Sequence, residues 1–245
     1  MSLSMETYLR QMSNKFQYRA TWSPYRKMQV GRFGSFSGSN WMEEGSLIDD
    51  FDLDIKISSD PGQNVLELTS ETGVTISTKL SGKPSGAFAA LSDTEAGIAV
   101  EFGAENAIVF RAKNITHHQL ANKAAITRKI VDLWRKGIWK EHYLILSEVM
   151  EAASATILVS AGANAKIELK ADATIETGNI DIADASLGLE AARDQNIGVN
   201  IVAKSGITPL YQVVGLKRKL WNDPELVIRN KSLAEMEDFF EIIPF

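Results

Sequence analysis

From Ala165 to Glu176 the chain alternates without a break. Ala165, Ile167, Leu169, Ala171, Ala173 and Ile175 are apolar, and Lys166, Glu168, Lys170, Asp172, Thr174 and Glu176 stand between them. Successive side chains of a strand point to opposite faces, so a period of two gives a strand with one apolar and one polar face. The run is longer than the usual soluble strand of about 5–6 residues. The pattern returns in Ile197, Val199, Ile201 and Ala203. It predicts an antiparallel pair, 163–176 with 179–190, turning at Thr177-Gly178. A bend is expected near Ala183–Ala185, where Ile180 and Ile182 give way to Leu187 and Leu189.

Side-chain chemistry narrows the function more by exclusion than by signal. The chain has no cysteine, which removes disulfides, thiol catalysis, zinc ribbons, iron–sulfur clusters and cysteine acylation. A net charge of -5 argues against a nucleic-acid partner, which calls for a basic face. No apolar run reaches the length of a membrane-spanning helix, and the N-terminus lacks a secretory apolar region; the expectation is a chain that is cytoplasmic as made. His117 and His118 are adjacent, so they point apart rather than sharing a metal, and His142 reads as an edge residue of a strand. The segments Gly31-Arg32-Phe33-Gly34 and Gly82-Lys83-Pro84-Ser85-Gly86 do not match a phosphate loop. The acidic run Asp49–Asp54 lacks the glycine and final glutamate of a calcium loop and reads as a solvated strand face. No catalytic residue, metal site or cofactor is expected.

Periodicity and capping signals lay out the elements. A helix is predicted over 4–14, then an aromatic- and glycine-rich loop with short strands over 18–50. Strands are expected at 51–58, 64–69, 72–80, 96–103 and 106–113. Thr116 and Gln119 suggest a capping box for a central amphipathic helix over 116–136. Strands follow at 138–151, 154–161, 195–204 and 208–217. The predicted fold class is α+β, a large, mostly antiparallel twisted sheet with a central amphipathic helix and short terminal helices. Residues 1–217 form the body and 218–245 a tail. In the tail, Ser232 caps a helix whose Leu233, Met236 and Phe240, with Phe239 at the edge, dock on the body.

The segment His142-Tyr143-Leu144-Ile145-Leu146-Ser147-Glu148-Val149 resembles the "Y-V-V-T-E-V" strand of the gasdermin pore-forming domain. The order of elements from Trp139 onward is similar to that family's, with the return strand at Asn196–Lys204 followed by Thr208–Val213. The pair 72–80 and 96–103 resembles the first transmembrane hairpin region, and the overall size is similar to that of the bacterial branch. The resemblance implies a membrane pore-former of cell death and bacterial defence, made as an inactive soluble monomer. It further implies release by tail cleavage, with an activating protease, anionic lipid and copies of itself as partners, and movement to the inner face of the membrane. Bacterial gasdermins often carry a lipidated cysteine near the N-terminus, which this chain lacks, and the large inhibitory domain of the animal proteins is missing.

The residues support that reading on their own terms. A membrane-crossing strand needs about 9–11 residues with lipid-facing positions at every second place. The expected membrane-inserting residues are Ala165, Ile167, Leu169, Ala171, Ile175, Ile197, Val199 and Ile201. Lys217, Arg218 and Lys219 beside Trp221 suit an anionic headgroup layer; the same cluster also suits an ordinary solvated strand end. The alternative is a non-enzymatic β-rich binding or assembly module, whose core the same apolar stripe would cover. An enzyme built from scattered carboxylates ranks last.

Overall fold

A computed structural model describes residues 3–70, 73–82, 88–92, 94–172, 181–217 and 225–229. In chain order the elements are α1 (Leu3–Phe16), β1 (Arg19–Ala20), β2 (Arg32–Ser37), β3 (Asn40–Ser46), α2 (Leu47–Phe51), β4 (Ile57–Pro61), β5 (Val65–Thr69), β6 (Val74–Lys79), β7 (Ala96–Phe102) and β8 (Ile108–Leu120). They continue with α3 (Lys123–Arg135), β9 (Leu144–Ser160), β10 (Ala165–Ala171), β11 (Glu190–Gln195), β12 (Ile197–Lys204), β13 (Ile207–Lys217) and β14 (Glu225–Ile228). Among the described residues 51% are strand and 16% helix, so the class is α+β, dominated by antiparallel sheet, as the sequence predicts.

The chain divides into two compact units. The first comprises Met1–Tyr8, Gly62–Ile115 and Ala152–Ile207, and the second Leu9–Pro61, Thr116–Glu151 and Thr208–Phe245.

In the first unit β5 pairs with β8 and β12 with β9, both antiparallel. A separate sheet of β6, β7, β10 and β11 completes the unit. Its apolar face meets Val109 of β8 and Leu158 of β9 in one core. Two sheet faces packed this way bury alternate residues from both sides.

In the second unit β1 and β14 pair with β13, β2 with β3 and β9, and β4 with β8. The core centres on Trp139, whose ring lies 5.5 Å from those of Phe33 and Phe51 and 5.2 Å from Tyr143. Such tilted and edge-on aromatic pairs add to what burial alone contributes. The amphipathic stripe of α3 presents Ile126 and Ile130 to this core.

Several local expectations are overturned, each for an identifiable reason. The central helix starts at Lys123, not at residue 116, because 116–120 belong to β8 and pair with β4, Thr116 opposite Pro61 and Gln119 opposite Ser58. His117 and His118 therefore lie on a strand, not in the first turn of a helix. Asn122, the residue before α3, makes no side-chain cap; its amide oxygen accepts from the Lys56 N–H at 2.9 Å and its amide nitrogen donates to the Asp54 carbonyl at 2.7 Å. Tertiary pairing overrides a local helix signal.

The strand expected over 51–58 begins only at Ile57. Ser46 caps α2 by accepting from the Ile48 and Asp49 N–H groups, and Asp50 accepts from the Ser46 N–H at 2.7 Å. The acidic run thus serves a short helix, acids at its positive end, and Asp52 closes it in the left-handed region at φ 51. His142 lies exposed in the turn before β9, not within a strand. The strand expected over 179–190 is absent over 181–189, where Asp184 caps a 3-10 turn at Ala185–Leu187. The partner of β10 is instead β11, and the irregular step lies on β10 at Glu168/Leu169 rather than near Ala183. The Thr177-Gly178 turn and the 232–240 helix lie outside the described residues.

Candidate membrane-inserting sheet

Two antiparallel hairpins, β6–β7 and β10–β11, lie side by side in the order β11-β10-β7-β6. Directly paired residues share a face, so the register fixes both faces of the sheet. Ile76 pairs with Val100 and Val100 with Ile167; Thr78 pairs with Ile98 and Ile98 with Leu169. On the opposite face Thr75, Glu101 and Lys166 form one row, Ser77, Ala99 and Glu168 the next, and Lys79, Gly97 and Lys170 the third. Three strands thus agree on one apolar and one polar face.

The apolar face forms the core of the first unit. Ile98, Val100, Ile167 and Leu169 are each 0% exposed. At the edge of the sheet, Ile76 is 46% exposed. At the opposite edge, every residue of β11 is exposed.

The polar face is not open to water. Phe88 and Leu91, from the connection between β6 and β7, pack with Ala99 in a small apolar cluster. Beside it Glu168 is 0% exposed. The Ala90 N–H donates to its Oε2 at 2.8 Å. Lys166 Nζ lies 3.4 Å from Oε1 in a geometry that makes no hydrogen bond, so that oxygen is incompletely satisfied. Buried Lys79 donates to the Ser92 carbonyl. Lys170 pairs with Glu95 at 2.7 Å. That ammonium, with the Ser92 N–H and hydroxyl, holds the Glu95 carboxyl down to about 2.

The connection between β10 and β11 is also folded back. Asp181 lies 2.8 Å from Arg111 Nε and 3.0 Å from Lys113 Nζ of β8. Burial pushes the Asp181 carboxyl up, but the Ala183 N–H, Lys113 and Arg111 outweigh it and hold it below the usual range. The Thr156 hydroxyl donates to the Ile182 carbonyl, and Ile182 and Leu189 enter the core.

The sequence-derived candidates are distributed unequally. Ala165, Ile167, Leu169 and Ala171 share the apolar face of β10. Ile197, Val199 and Ile201 lie elsewhere, on β12, paired with Ser160, Val159 and Ile157 of β9. Lys217 is the exposed last residue of β13. Ile175, Arg218, Lys219, Leu233, Met236, Phe239 and Phe240 lie outside the described residues. Sequence reasoning placed 72–80 and 96–103 in a hairpin region by resemblance but named none of the apolar row of β6 and β7, and it missed the burial of Glu168. The alternation in Val74-Thr75-Ile76 and in Ile98-Ala99-Val100-Glu101-Phe102 carried the first; nothing local signals the second.

Among the described residues no group of three or more His, Asp or Glu could hold a metal ion, and no helix is long and apolar enough to cross a membrane. His117 lies 3.3 Å from Glu148, which also accepts from the Tyr18 hydroxyl, and His118 lies 3.5 Å from Glu151, which also pairs with Lys27.

No family model matches the chain, and no curated protein does. Among solved structures it is similar to the gasdermin A3 membrane pore determined by cryo-EM, at 11% identity and a TM-score of 0.35, over 91% of this chain and 93% of that one. At that TM-score the likeness carries no weight for fold or function.

Proposed function

We propose that this protein is a gasdermin-like, non-enzymatic pore-former that inserts its β6–β7 and β10–β11 hairpins into a membrane. The observation that carries the reading is the two-faced sheet: adjacent hairpins whose register gives one apolar and one polar surface. A transmembrane barrel requires that division, with lipid outside and water within. As folded, the strands are 6 or 7 residues long, short of the roughly 9–11 needed to span. Residues 74–102 and 165–195 each contain enough chain for two such strands and a turn. Insertion therefore needs both connections to leave the body and join the strands.

On this reading the protein is made in the cytoplasm as a soluble monomer and acts on the inner face of the membrane. Anionic lipid receives Lys217, Arg218 and Lys219, a protease removes the tail, and copies of the chain assemble. Ile197, Val199 and Ile201 have a lesser claim to the lipid, since β12 lies outside the two-hairpin sheet. The test is dye release from anionic liposomes, comparing the full chain with one ending at Trp221, which keeps the basic cluster. Release by the shortened chain, absent or much slower with the full one, supports the reading. Two folded, silent proteins would favour the alternative, a β-rich binding module offering the open edge at β11.

A further inference from the structure

The polar face of the β7–β10 pair is closed by chain from its own hairpin. We infer that Phe88–Ser92 with Glu95 form a releasable strap over this face, latched through Glu168, Lys79 and Lys170, and that its release frees the first hairpin's connection while the sheet stays folded.

Four observations carry this. Glu168, in the middle of β10, is wholly buried beneath the strap and accepts from the Ala90 N–H at 2.8 Å. Lys79, 2% exposed, reaches the Ser92 carbonyl. Lys170 holds Glu95 at 2.7 Å. Gly97 leaves room for closure, because a Cβ there would lie 2.4 Å from Leu91 Cδ1.

The latch is polar where a permanent cover would be apolar. The Glu168 carboxylate and the Lys79 ammonium hold the strap through hydrogen bonds to its main chain, which water can replace when it opens. Opening returns these charges to water, which offsets much of the lost hydrogen bonding. On the strap, the buried apolar side chains among the described residues are Phe88 and Leu91. The opposite face packs Ile98, Val100, Ile167 and Leu169 into the core of the unit, away from the strap. Local opening on one side of an intact sheet is therefore the low-cost motion.

The geometry of the strap stands without the pore reading; its role in gating insertion rests on it. The chain has no cysteine, so a single introduced thiol reports opening. Ala99→Cys places it beneath Phe88 and Leu91, and Ala112→Cys, at a wholly buried position on β8, reports unfolding of the unit. In the full-length protein, Glu168→Ala should raise maleimide labelling at Ala99→Cys about tenfold or more, the effect of losing a charged hydrogen bond. Labelling at Ala112→Cys should not change. Lys79→Met provides the second variant should Glu168→Ala fail to fold, and hydrogen exchange of the Ala90 amide provides a probe without cysteine. Unchanged labelling in the folded variants, or equal rises at both thiols, overturns the strap. Dye release from anionic liposomes is read on the same variants. Selective labelling at Ala99→Cys without dye release in any form of the protein leaves the strap standing and removes the pore.

Discussion

Ile76 separates insertion from folding at a single position. The register puts it in one row with Val100 and Ile167, yet it is 46% exposed where they are wholly buried. Ile167→Asp would confound the two roles, because it places a charge in the core of the soluble form. Ile76→Lys leaves that core nearly intact but sets a charge toward lipid, at about 2–4 kcal/mol near mid-membrane. Thr75→Lys, one residue away, faces the aqueous side. The expected outcome is two variants with similar thermal unfolding, of which Ile76→Lys loses dye release and Thr75→Lys keeps it. Equal release by both would remove β6 from the membrane. Glu95 gives a pH test at the same scale. Its carboxyl is held at about 2 in the folded protein and titrates near 4.3 in an unfolded chain. A depressed folded value means that its stabilisation is complete above the unfolded value and is lost as pH falls from there through about 2. The gap in urea midpoint between the parent and Glu95→Gln should therefore be full at pH 7 and shrink steadily below pH 4. A gap independent of pH would show that Lys170 does not hold this carboxylate in solution.

Among the elements, the close approach of β7 and β10 at Gly97 couples strand pairing to the strap. A Cβ at this position would lie 2.3 Å from the Leu169 carbonyl oxygen as well as 2.4 Å from Leu91 Cδ1. Leu91 can swing away, but the backbone carbonyl cannot without parting the hairpins. Gly97→Ala should cost about 1–3 kcal/mol by overpacking and speed labelling at Ala99→Cys, both measurable by urea unfolding and maleimide kinetics. Wild-type values would mean that the inner strands lie further apart than described. The same scale shows what a sequence can reveal. Alternation located β10 because its apolar side chains all face the main core of the first unit, and helical spacing found α3 because Ile126 and Ile130 lie on one stripe. Glu168 was invisible, since its burial comes from chain some eighty residues away. Thr116 and Gln119 carry a genuine capping pattern, but β4 supplied a strand partner that a local signal cannot register. The acidic run at Asp49–Asp54 was read as a strand face because Ser46, the residue that turns it into a helix, lies just before it.

In the whole molecule, the tail begins as an added strand, and this sets the terms of any switch. β14 pairs with β13 from Val214–Ile228 to Lys217–Glu225, and the Arg229 N–H donates to the Val213 carbonyl at 2.8 Å. Arg229 Nη2 also reaches the Leu216 carbonyl, Arg19 Nε reaches the Arg229 carbonyl, and Leu226 packs on the aromatic core of the second unit. A cut between Trp221 and Glu225 therefore severs the tether without removing the strand. Once cut, the fragment loses the high effective concentration that attachment supplied and keeps only its non-covalent hold, which among the described residues is the β14 pairing, the Arg229 bonds and the Leu226 packing. Its departure bares the Val214–Lys217 edge of β13, and an unpaired edge is a template for a strand from another copy. Leu226→Asp with Arg229→Ala in the uncut chain should loosen the same strand without a protease. If the tail is inhibitory, this variant should release dye from anionic liposomes at a rate approaching that of the chain ending at Trp221, and should form larger species on lipid. The protein cut in place should lag behind the shortened chain by the time its fragment takes to dissociate, a delay that added tail peptide lengthens. A folded double variant as silent as the parent, beside a shortened chain that leaks no faster than the full one, would make β14 a structural edge strand and favour the binding module over the pore.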